Sequence, residues 1–273
     1  MPALGDPAAE QAWHHRTAHG APLAPCYVPA PFVAAPAPRG GAGSRRAEET
    51  RPCRLQVDAV PNAVGSAYCE LGKTKIVAAV YGPRQLVGDR HGAGSAAEGV
   101  LNVDFAFASF ASRQGGGETN EKRATFYGSI LRQTLESVVL LDRYAKTILD
   151  ISLLVLEDDG SALTAALSAV SLALADAAVE MRDLAAGATV HLAGADLAGR
   201  RQLLLDCDAR EEAALPPGSS VVHIGICPSR GDVCLLHAAG PLPAEPFEQA
   251  MLLAKDTAEA VAAEMRRCLE RRV

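Results

Sequence analysis

Residues 149–178 read LDISLLVLEDDGSALTAALSAVSLALADAA and set the architecture of the chain. The first part, 149–156, is a short apolar run of a length typical of a central β-strand rather than a helix. Residues 158–161 (DDGS) interrupt the run and offer N-cap residues to a helix from Ala162 to about Ala178. Because that helix consists almost entirely of Ala, Leu, Val and Ser, we expect it to be buried on most sides.

Strand-like runs flank this segment on both sides, separated by Gly- and Pro-containing turns. The strands expected are Leu55–Ala59, Ala63–Leu71, Thr74–Tyr81, Val100–Ala108, Ala188–Leu192, Gln202–Asp206, Ser220–Cys227 and Asp232–His237. Apolar residues at spacings of three and four predict two further helices, from about Asn120 to Asp142 and from about Ala244 to Arg271. Helices that each follow strands indicate a single α+β domain of about 220 residues.

The first 52 residues differ in composition from the rest of the chain. They hold nine of the 17 prolines and the only tryptophan, and they show no sustained apolar period. Such a segment buries too little apolar surface to fold by itself. We therefore divide the chain into a mostly disordered arm, 1–52, and a domain, 53–273.

The overall composition excludes several classes of protein. With 273 residues, 49% of them hydrophobic, the chain is not disordered throughout, and no window is apolar enough for a membrane span. The formal net charge of −6 provides no global basic field, so any nucleic-acid contact requires a local basic patch. The seven cysteines form no Cys-x-x-Cys pair, which favours reduced thiols, and the acidic N-terminus argues against a signal peptide.

The residues that could carry chemistry leave alternatives open. Residues 115–117 (GGG), followed by Lys122 and Arg123, are either a flexible loop or part of a basic patch that contacts phosphates. Carboxylates at strand ends could serve acid–base or metal chemistry, or could cap helices and line solvated turns. They are Asp158, Asp159, Asp206, Asp208, Glu211 and Glu212. The histidines lie on separate predicted strands, and no Ser or Cys has a nucleophile motif around it.

Seven stretches occur in the order and spacing of one known family. They are GSAY (65–68), GKTKI (72–76), YGPR (81–84), LRQTLE (131–136), LVLEDDGS (154–161), AVSLALADA (169–177) and MRDL (181–184). Over residues 53 to about 208 the sequence resembles the RNase PH family. The resemblance implies the ribosomal protein S5 domain 2-like fold and assembly into a ring of six subunits. Active members cleave RNA from its 3′ end with inorganic phosphate.

The sequence departs from the active members at two places. Their loop reads Asp-Gly-Gly-Thr/Ser-Arg-Thr, and its Thr/Ser and Arg hold the phosphate; here Ser161 is followed by Ala162. A methyl group supplies neither the fixed donors nor the charge of a guanidinium. Active members also carry an aspartate several residues after the Leu-Asp-x-Asp segment. Here 205–208 (LDCD) runs into 213–218 (AALPPG) without one.

The resemblance is therefore to the non-catalytic RNase PH-like ring subunits of the eukaryotic RNA exosome. It implies no cofactor, an address in the nucleus, nucleolus and cytoplasm, and no membrane. The partners implied are other RNase PH-like subunits in a hetero-hexameric ring, S1/KH-type cap subunits, associated exoribonucleases and RNA. By position we expect RNA-backbone contacts from Arg84, Arg113, Lys122 and Arg123, unless these are ordinary solvated residues.

Two other functions are weighed against this one. The first is a divergent phosphate-dependent exoribonuclease in which Arg123 or Arg132 holds the phosphate. The second, a free-standing RNA-binding module, fits poorly with the acidic charge and with only 4% aromatic residues.

Overall fold

The computed structural model describes residues 26–28, 45–85, 98–111, 117–194 and 202–271. The strands in these ranges are β1 (Cys26–Val28), β2 (Cys53–Val57), β3 (Gly65–Leu71), β4 (Thr74–Gln85), β5 (Val100–Phe107), β6 (Thr147–Glu157), β7 (Ala186–Leu192), β8 (Leu203–Leu205), β9 (Ser220–Cys227) and β10 (Asp232–Ala239). The helices in the same ranges are α1 (Gly117–Val138), α2 (Ala162–Asp176), α3 (Ala209–Ala213) and α4 (Ala244–Glu270), with a 3-10 helix over Leu141–Tyr144.

The strands form two sheets. The larger sheet has the order β1-β2-β3-β4-β6-β5, and the smaller has the order β10-β9-β7-β8. Neighbouring strands pair antiparallel except β5 and β6, which are parallel. The α+β architecture predicted from the sequence is thus confirmed.

Helix α2 lies between the two sheets. It packs on β3 and β4 of the larger sheet and on β7 of the smaller one. Of its 15 residues, 13 are buried, which confirms the burial expected from its composition. Small residues on the strands allow the close approach: a Cβ added to Gly65 would lie 2.5 Å from the carbonyl oxygen of Ala173, so only glycine fits there.

Strand β6 is buried on one face only. Leu149, Ile151, Leu153 and Val155 point into the core, whereas Leu154 on the opposite face is 39% exposed. The continuous apolar run therefore does not mark a strand covered on both sides. The face of the larger sheet turned away from α2 retains apolar side chains, and the sequence pattern alone could not distinguish these from core residues.

Most predicted elements lie within a few residues of their expected limits. Three short elements in the described residues were not predicted: β1, the 3-10 helix and α3. Within the predicted arm 1–52, β1 pairs antiparallel with β2, and Arg51 is 5% exposed. The boundary after residue 52 stays a prediction. No helix in the described part of the chain is long and apolar enough to cross a membrane.

Candidate functional site

The loop between β6 and α2 is held in an unusual backbone conformation. Gly160 has φ of +91° and Ser161 has φ of +58°, both in the left-handed region. A Cβ on Gly160 would lie 2.7 Å from the carbonyl oxygen of Cys207, so the loop is pressed against the segment after β8. Ser161 occupies the N-cap of α2, but its side chain caps no backbone N–H. The expectation that this segment supplies a side-chain cap for the helix is wrong, because the left-handed turn directs the hydroxyl elsewhere.

Arg51 holds this loop from the side of β2. Its guanidinium Nη1 donates to the carbonyl oxygen of Asp159 at 2.7 Å, and Nη2 donates to that of Gly160 at 3.1 Å. The hydroxyl of Thr74 donates to the same Gly160 carbonyl at 2.8 Å and accepts from the Asp159 N–H at 3.1 Å. These bonds give the carbonyl oxygens of Asp159 and Gly160 and the Asp159 N–H partners from within the chain.

Asp206 is the counter-ion of Arg51. Its two carboxylate oxygens accept from Arg51 Nε at 2.9 Å and Nη2 at 2.6 Å, and the Arg51 backbone N–H adds a third bond at 3.1 Å. Burial raises the pKa of Asp206, but the Arg51 charge and its hydrogen bonds outweigh burial, so the pKa lies below its usual range. The Ser161 hydroxyl contributes in the same direction without a hydrogen bond of normal geometry. Asp206 is only 3% exposed and does not belong to a solvated acidic turn, as one interpretation of the sequence had it.

Arg123 approaches the loop from α1. Its Nη2 donates to a carboxylate oxygen of Asp158 at 3.0 Å. Its guanidinium carbon also lies 4.9 Å from the ring centre of Phe107 and 5.6 Å from that of Tyr127. Asp158 is therefore the partner of Arg123, and Arg123 is held between a carboxylate and two aromatic rings.

The acidic residues after β8 have separate roles. Asp208 caps α3 through a capping box, in which its carboxylate accepts from the Glu211 N–H and Glu211 returns a bond to the Asp208 N–H. Glu211 also binds Arg45 at 2.7 Å.

Burial raises the pKa of Glu212, and the Asp158 charge adds to this effect against the opposing charges of Arg123 and Arg51. The described residues contain no group of three or more His, Cys, Asp or Glu arranged to hold a metal.

An open groove of about 390 Å³ lies beside these residues. Among the described residues that line it, Glu212 is the only acidic side chain, and there is no lysine or arginine. The lining residues are His191, Glu212, Leu215, Pro216, Gly218, Ser219, Ser220, Val221, Ala239 and Gly240. The groove therefore offers an anion no countercharge of its own.

The smaller sheet brings together two histidines that the sequence had placed on separate strands. His223 on β9 pairs directly with His237 on β10, and their rings stack with centres 5.7 Å apart. The Thr189 hydroxyl lies 3.0 Å from Nδ1 of His223. Burial lowers the pKa of His223 to about 3, with the charges of His237 and His191 acting in the same direction.

The predicted RNA-contact residues do not form one patch. Lys122 lies on the exposed face of α1 and pairs with Glu118 at 2.7 Å. Arg84 pairs with Asp150 near the start of β6, so it lies at the opposite end of that strand from Asp158, roughly 25 Å away at the rise of a β-strand. Arg113 lies outside the described residues. RNA contact by any of the four stays a prediction.

The sequence analysis did not identify Arg51 as a site residue, although its guanidinium binds two carbonyl oxygens of the loop before α2. Arg51 stands in Thr50-Arg51-Pro52, inside the segment interpreted as an arm. A single arginine before a short strand gives no periodic or motif signal. Only the pairing of β2 in the larger sheet shows that it reaches Asp206, 155 residues later.

The comparisons with known proteins agree on one family. Residues 49–180 match the model of the RNase PH family, described as 3′ exoribonuclease family, domain 1. The chain is 33% identical over 226 residues to the exosome complex component RRP41 homolog of Arabidopsis thaliana, covering 83% of this chain and 90% of that protein. It is 33% identical over 228 residues to the exosome complex component Rrp41 of Pyrococcus furiosus, covering 83% and 86%.

Two solved structures share the fold. Rice Rrp46 superposes with a TM-score of 0.67 at 23% identity, over 81% of this chain and 96% of that one. A chain of the Archaeoglobus fulgidus exosome with RNA bound to the active site superposes with a TM-score of 0.63 at 20% identity, over 79% and 88%.

Proposed function

Because the chain belongs to the RNase PH, or 3′ exoribonuclease, family, we propose that it is a non-catalytic subunit of the RNA exosome core ring. In that role it supports 3′-to-5′ RNA processing and decay and lends part of its surface to the RNA channel. Its partners are other RNase PH-like subunits in a hetero-hexameric ring, S1/KH-type cap subunits, associated exoribonucleases and RNA. We place it in the nucleus, nucleolus and cytoplasm, where those partners would act.

The observation that carries the proposal is the state of the loop before α2. At the position where active members of the family carry an arginine stands Ala162, which is 3% exposed and has no polar side-chain atom. Three guanidinium groups in the described part of the chain lie at or beside this loop. Each already binds a carboxylate: Arg51 binds Asp206, Arg45 binds Glu211 and Arg123 binds Asp158.

An attacking phosphate would have to displace one of these partners. Removing a single electrostatic clamp of this kind costs about 3–4 kcal/mol of transition-state stabilisation in well-studied enzymes. Here the clamp is absent, and the neighbouring carboxylates repel a dianion.

The alternative, a phosphate-dependent exoribonuclease with substitute arginines, requires Arg123 or Arg132 to be available. Arg132 is bound to Glu136 at 3.0 Å one turn along α1, and Arg123 is held by Asp158. A phosphate would have to displace the carboxylate partner of either one. The non-catalytic role is therefore favoured.

Within the exosome ring we propose the position of the mRNA-transport-regulator subunit, exosome component 6. The support is the loop, which resembles that subunit's in reading Gly-Ser without the arginine.

The test combines purification and activity. The tagged full chain is purified at moderate salt, co-purifying chains are identified, and RNA shortening is measured with and without phosphate and magnesium. We expect stoichiometric RNase PH-like partners and no phosphate-dependent release of nucleoside diphosphates by the chain alone. A homohexamer that consumes phosphate while shortening RNA would overturn the proposal.

Channel contact is tested separately with two matched variants of α1. Lys122→Glu should weaken RNA protection by the assembled ring, while Arg132→Glu should not. Both residues are exposed and paired with a glutamate one turn away, and they lie about 15 Å apart along the helix. If the two variants protect RNA equally well, Lys122 does not belong to the surface that contacts RNA.

A further inference from the structure

Two cysteines meet at the edge of the smaller sheet, far in sequence from the loop described above. Cys227 is the last residue of β9, and Cys234 lies on β10, which is the edge strand. The register pairs Val233 with Ile226 and Leu235 with Gly225, so Cys234 is an extra residue in a β-bulge. Its backbone is therefore not fixed by a cross-strand partner.

The bulge turns the Cys234 side chain toward Cys227. The Sγ of Cys234 lies 3.2 Å from the position a Cβ would take on Gly225, two residues before Cys227 on the same face of the sheet. The two thiols are within hydrogen-bonding reach of each other. Both are free thiols in this structure, and Cys234 is partly exposed while Cys227 is 4% exposed.

The electrostatics differ between the two sulfur atoms. The hydrogen bond from Cys234 lowers the pKa of the Cys227 thiol and outweighs the opposing effects of burial and of the Asp183 and Asp232 charges, while the Arg230 charge adds a smaller lowering. The same contact and burial raise the pKa of the Cys234 thiol. Cys227 is therefore the sulfur that more readily forms a thiolate, and Cys234 is the proton donor beside it.

We propose that Cys227 and Cys234 form an oxidative modification site, at which a peroxide converts the two thiols into a reversible cross-strand disulfide. In the first step the Cys227 thiolate attacks one oxygen of hydrogen peroxide and the O–O bond breaks. The departing hydroxide takes up the thiol proton as water, and Cys227 becomes a sulfenic acid. Hydrogen peroxide is small enough to reach a sulfur at the end of a strand beside a surface turn.

In the second step the Cys234 sulfur attacks the Cys227 sulfur. The S–S bond forms, the S–O bond breaks, and hydroxide leaves with the Cys234 proton as water. Two thiols and one peroxide thus give one disulfide and two waters, with two electrons passing from the sulfur atoms to the peroxide. A dithiol reductant reverses the step by thiol–disulfide exchange.

A second thiol pair in the same chain provides an internal control. Cys53 on β2 and Cys69 on β3 also lie within hydrogen-bonding reach, but they are 4% and 1% exposed within the core. Their contact and burial raise the pKa of Cys53 well above its ordinary value. We expect this pair to stay reduced under conditions that oxidise the first, since both of its sulfur atoms are buried in the core and it lacks a partly exposed partner.

The sequence makes the test direct. Trypsin cleaves after Arg230, so Cys227 falls in peptide 211–230 and Cys234 in peptide 231–255, each as its only cysteine. The purified, folded full chain is treated with hydrogen peroxide, its free thiols are alkylated, and the digest is analysed by mass spectrometry. We expect a 211–230/231–255 cross-linked species that lacks two hydrogen atoms and disappears after dithiothreitol treatment.

Two variants assign the order of the steps. Cys234→Ser should leave Cys227 as a sulfenic acid that dimedone traps, whereas Cys227→Ser should abolish both the cross-link and the dimedone adduct at this site. Full alkylation of both cysteines after peroxide treatment of the wild-type chain would overturn the proposal. So would a Cys53–Cys69 cross-link that appears at the same peroxide concentration. The test does not depend on ring assembly or RNA, so it stands apart from the proposed function.

Discussion

The Arg51→Met substitution tests the structural importance of the buried ion pair beneath the loop. The side chains of Arg51 and Asp206 are 6% and 5% exposed. Methionine keeps the stem of the side chain but removes the guanidinium, so the buried Asp206 carboxylate keeps only one backbone N–H donor and Nη1 of Arg45, 4.0 Å away. Breaking a buried pair by removing one partner costs about 3–5 kcal/mol of unfolding free energy.

An exposed pair provides the matched control. Arg84 binds Asp150, but its side chain is 66% exposed. Arg84→Met should therefore cost only about 0–1 kcal/mol. For a domain of this size, where 1 kcal/mol corresponds to about 2–4 °C, Arg51→Met should lower the thermal midpoint by about 6–20 °C and Arg84→Met by less than about 4 °C.

The pH dependence of the stability deficit of Arg51→Met, its loss of unfolding free energy relative to the wild type, identifies the cause of that loss. In the wild type the lowered pKa of Asp206 contributes stability above its unfolded value near 4, and that stability is lost as pH falls through the folded pKa. In Arg51→Met the principal countercharge is gone and only Arg45, whose Nη1 lies 4.0 Å from Asp206 Oδ2, remains, so burial outweighs it and raises the pKa of Asp206 above the unfolded value. The variant's deficit should therefore shrink as pH falls from 8 toward 5, because the protonated carboxyl no longer carries a buried charge.

The assay is urea unfolding of wild type, both single variants and Arg51→Met/Asp206→Asn at several pH values. Asn tolerates the left-handed backbone at position 206, where φ is +51°. We expect the double variant to be more stable than Arg51→Met alone, because its buried group is neutral. An Arg51→Met deficit no larger than that of Arg84→Met, or one that grows at low pH, would refute the reasoning.

Three further predictions concern packing and protonation. Because the pKa of His223 is lowered to about 3, the free energy of unfolding falls as pH drops below about 6.5, by about 1.4 kcal/mol per pH unit until the folded pKa is reached. Urea unfolding of His223→Gln should show a shallower loss of stability between pH 6.5 and 5. An unchanged slope would contradict the assignment. Gly225→Ala should destabilise the chain by about 1–3 kcal/mol, since the added Cβ would lie 2.4 Å from Cδ2 of Leu167 on α2. A thermal midpoint equal to that of the wild type would rule out the tight contact. Gly128→Ala in α1 should instead stabilise the chain by about 0.5–1 kcal/mol, because alanine favours the helix and the atom nearest to the added Cβ, the Cβ of Phe105, is 3.4 Å away. A lower thermal midpoint would show that Phe105 cannot adjust.

The candidate site was only partly predictable from the sequence. Ser161 and Ala162 were found through the family motif, and Asp158 and Asp206 through their positions at strand ends. Their partners were not found, because a carboxylate's role depends on which cation the fold brings within 3 Å of it. Asp158 meets Arg123 from a helix 35 residues away, and the sequence offers no local signal for that pairing.

The sequence by itself determined the α+β class, the approximate limits of most strands and helices and the burial of α2. These follow from local periodicity, turn residues and motif order, which the chain carries in consecutive residues. Only the tertiary structure decided that Arg51 belongs to the core, that Arg51 and Thr74 bind the backbone of Asp159 and Gly160, and that Cys227 meets Cys234. Each of those results from strand register or sheet pairing, which places side chains together through the folded backbone rather than through their spacing along the chain.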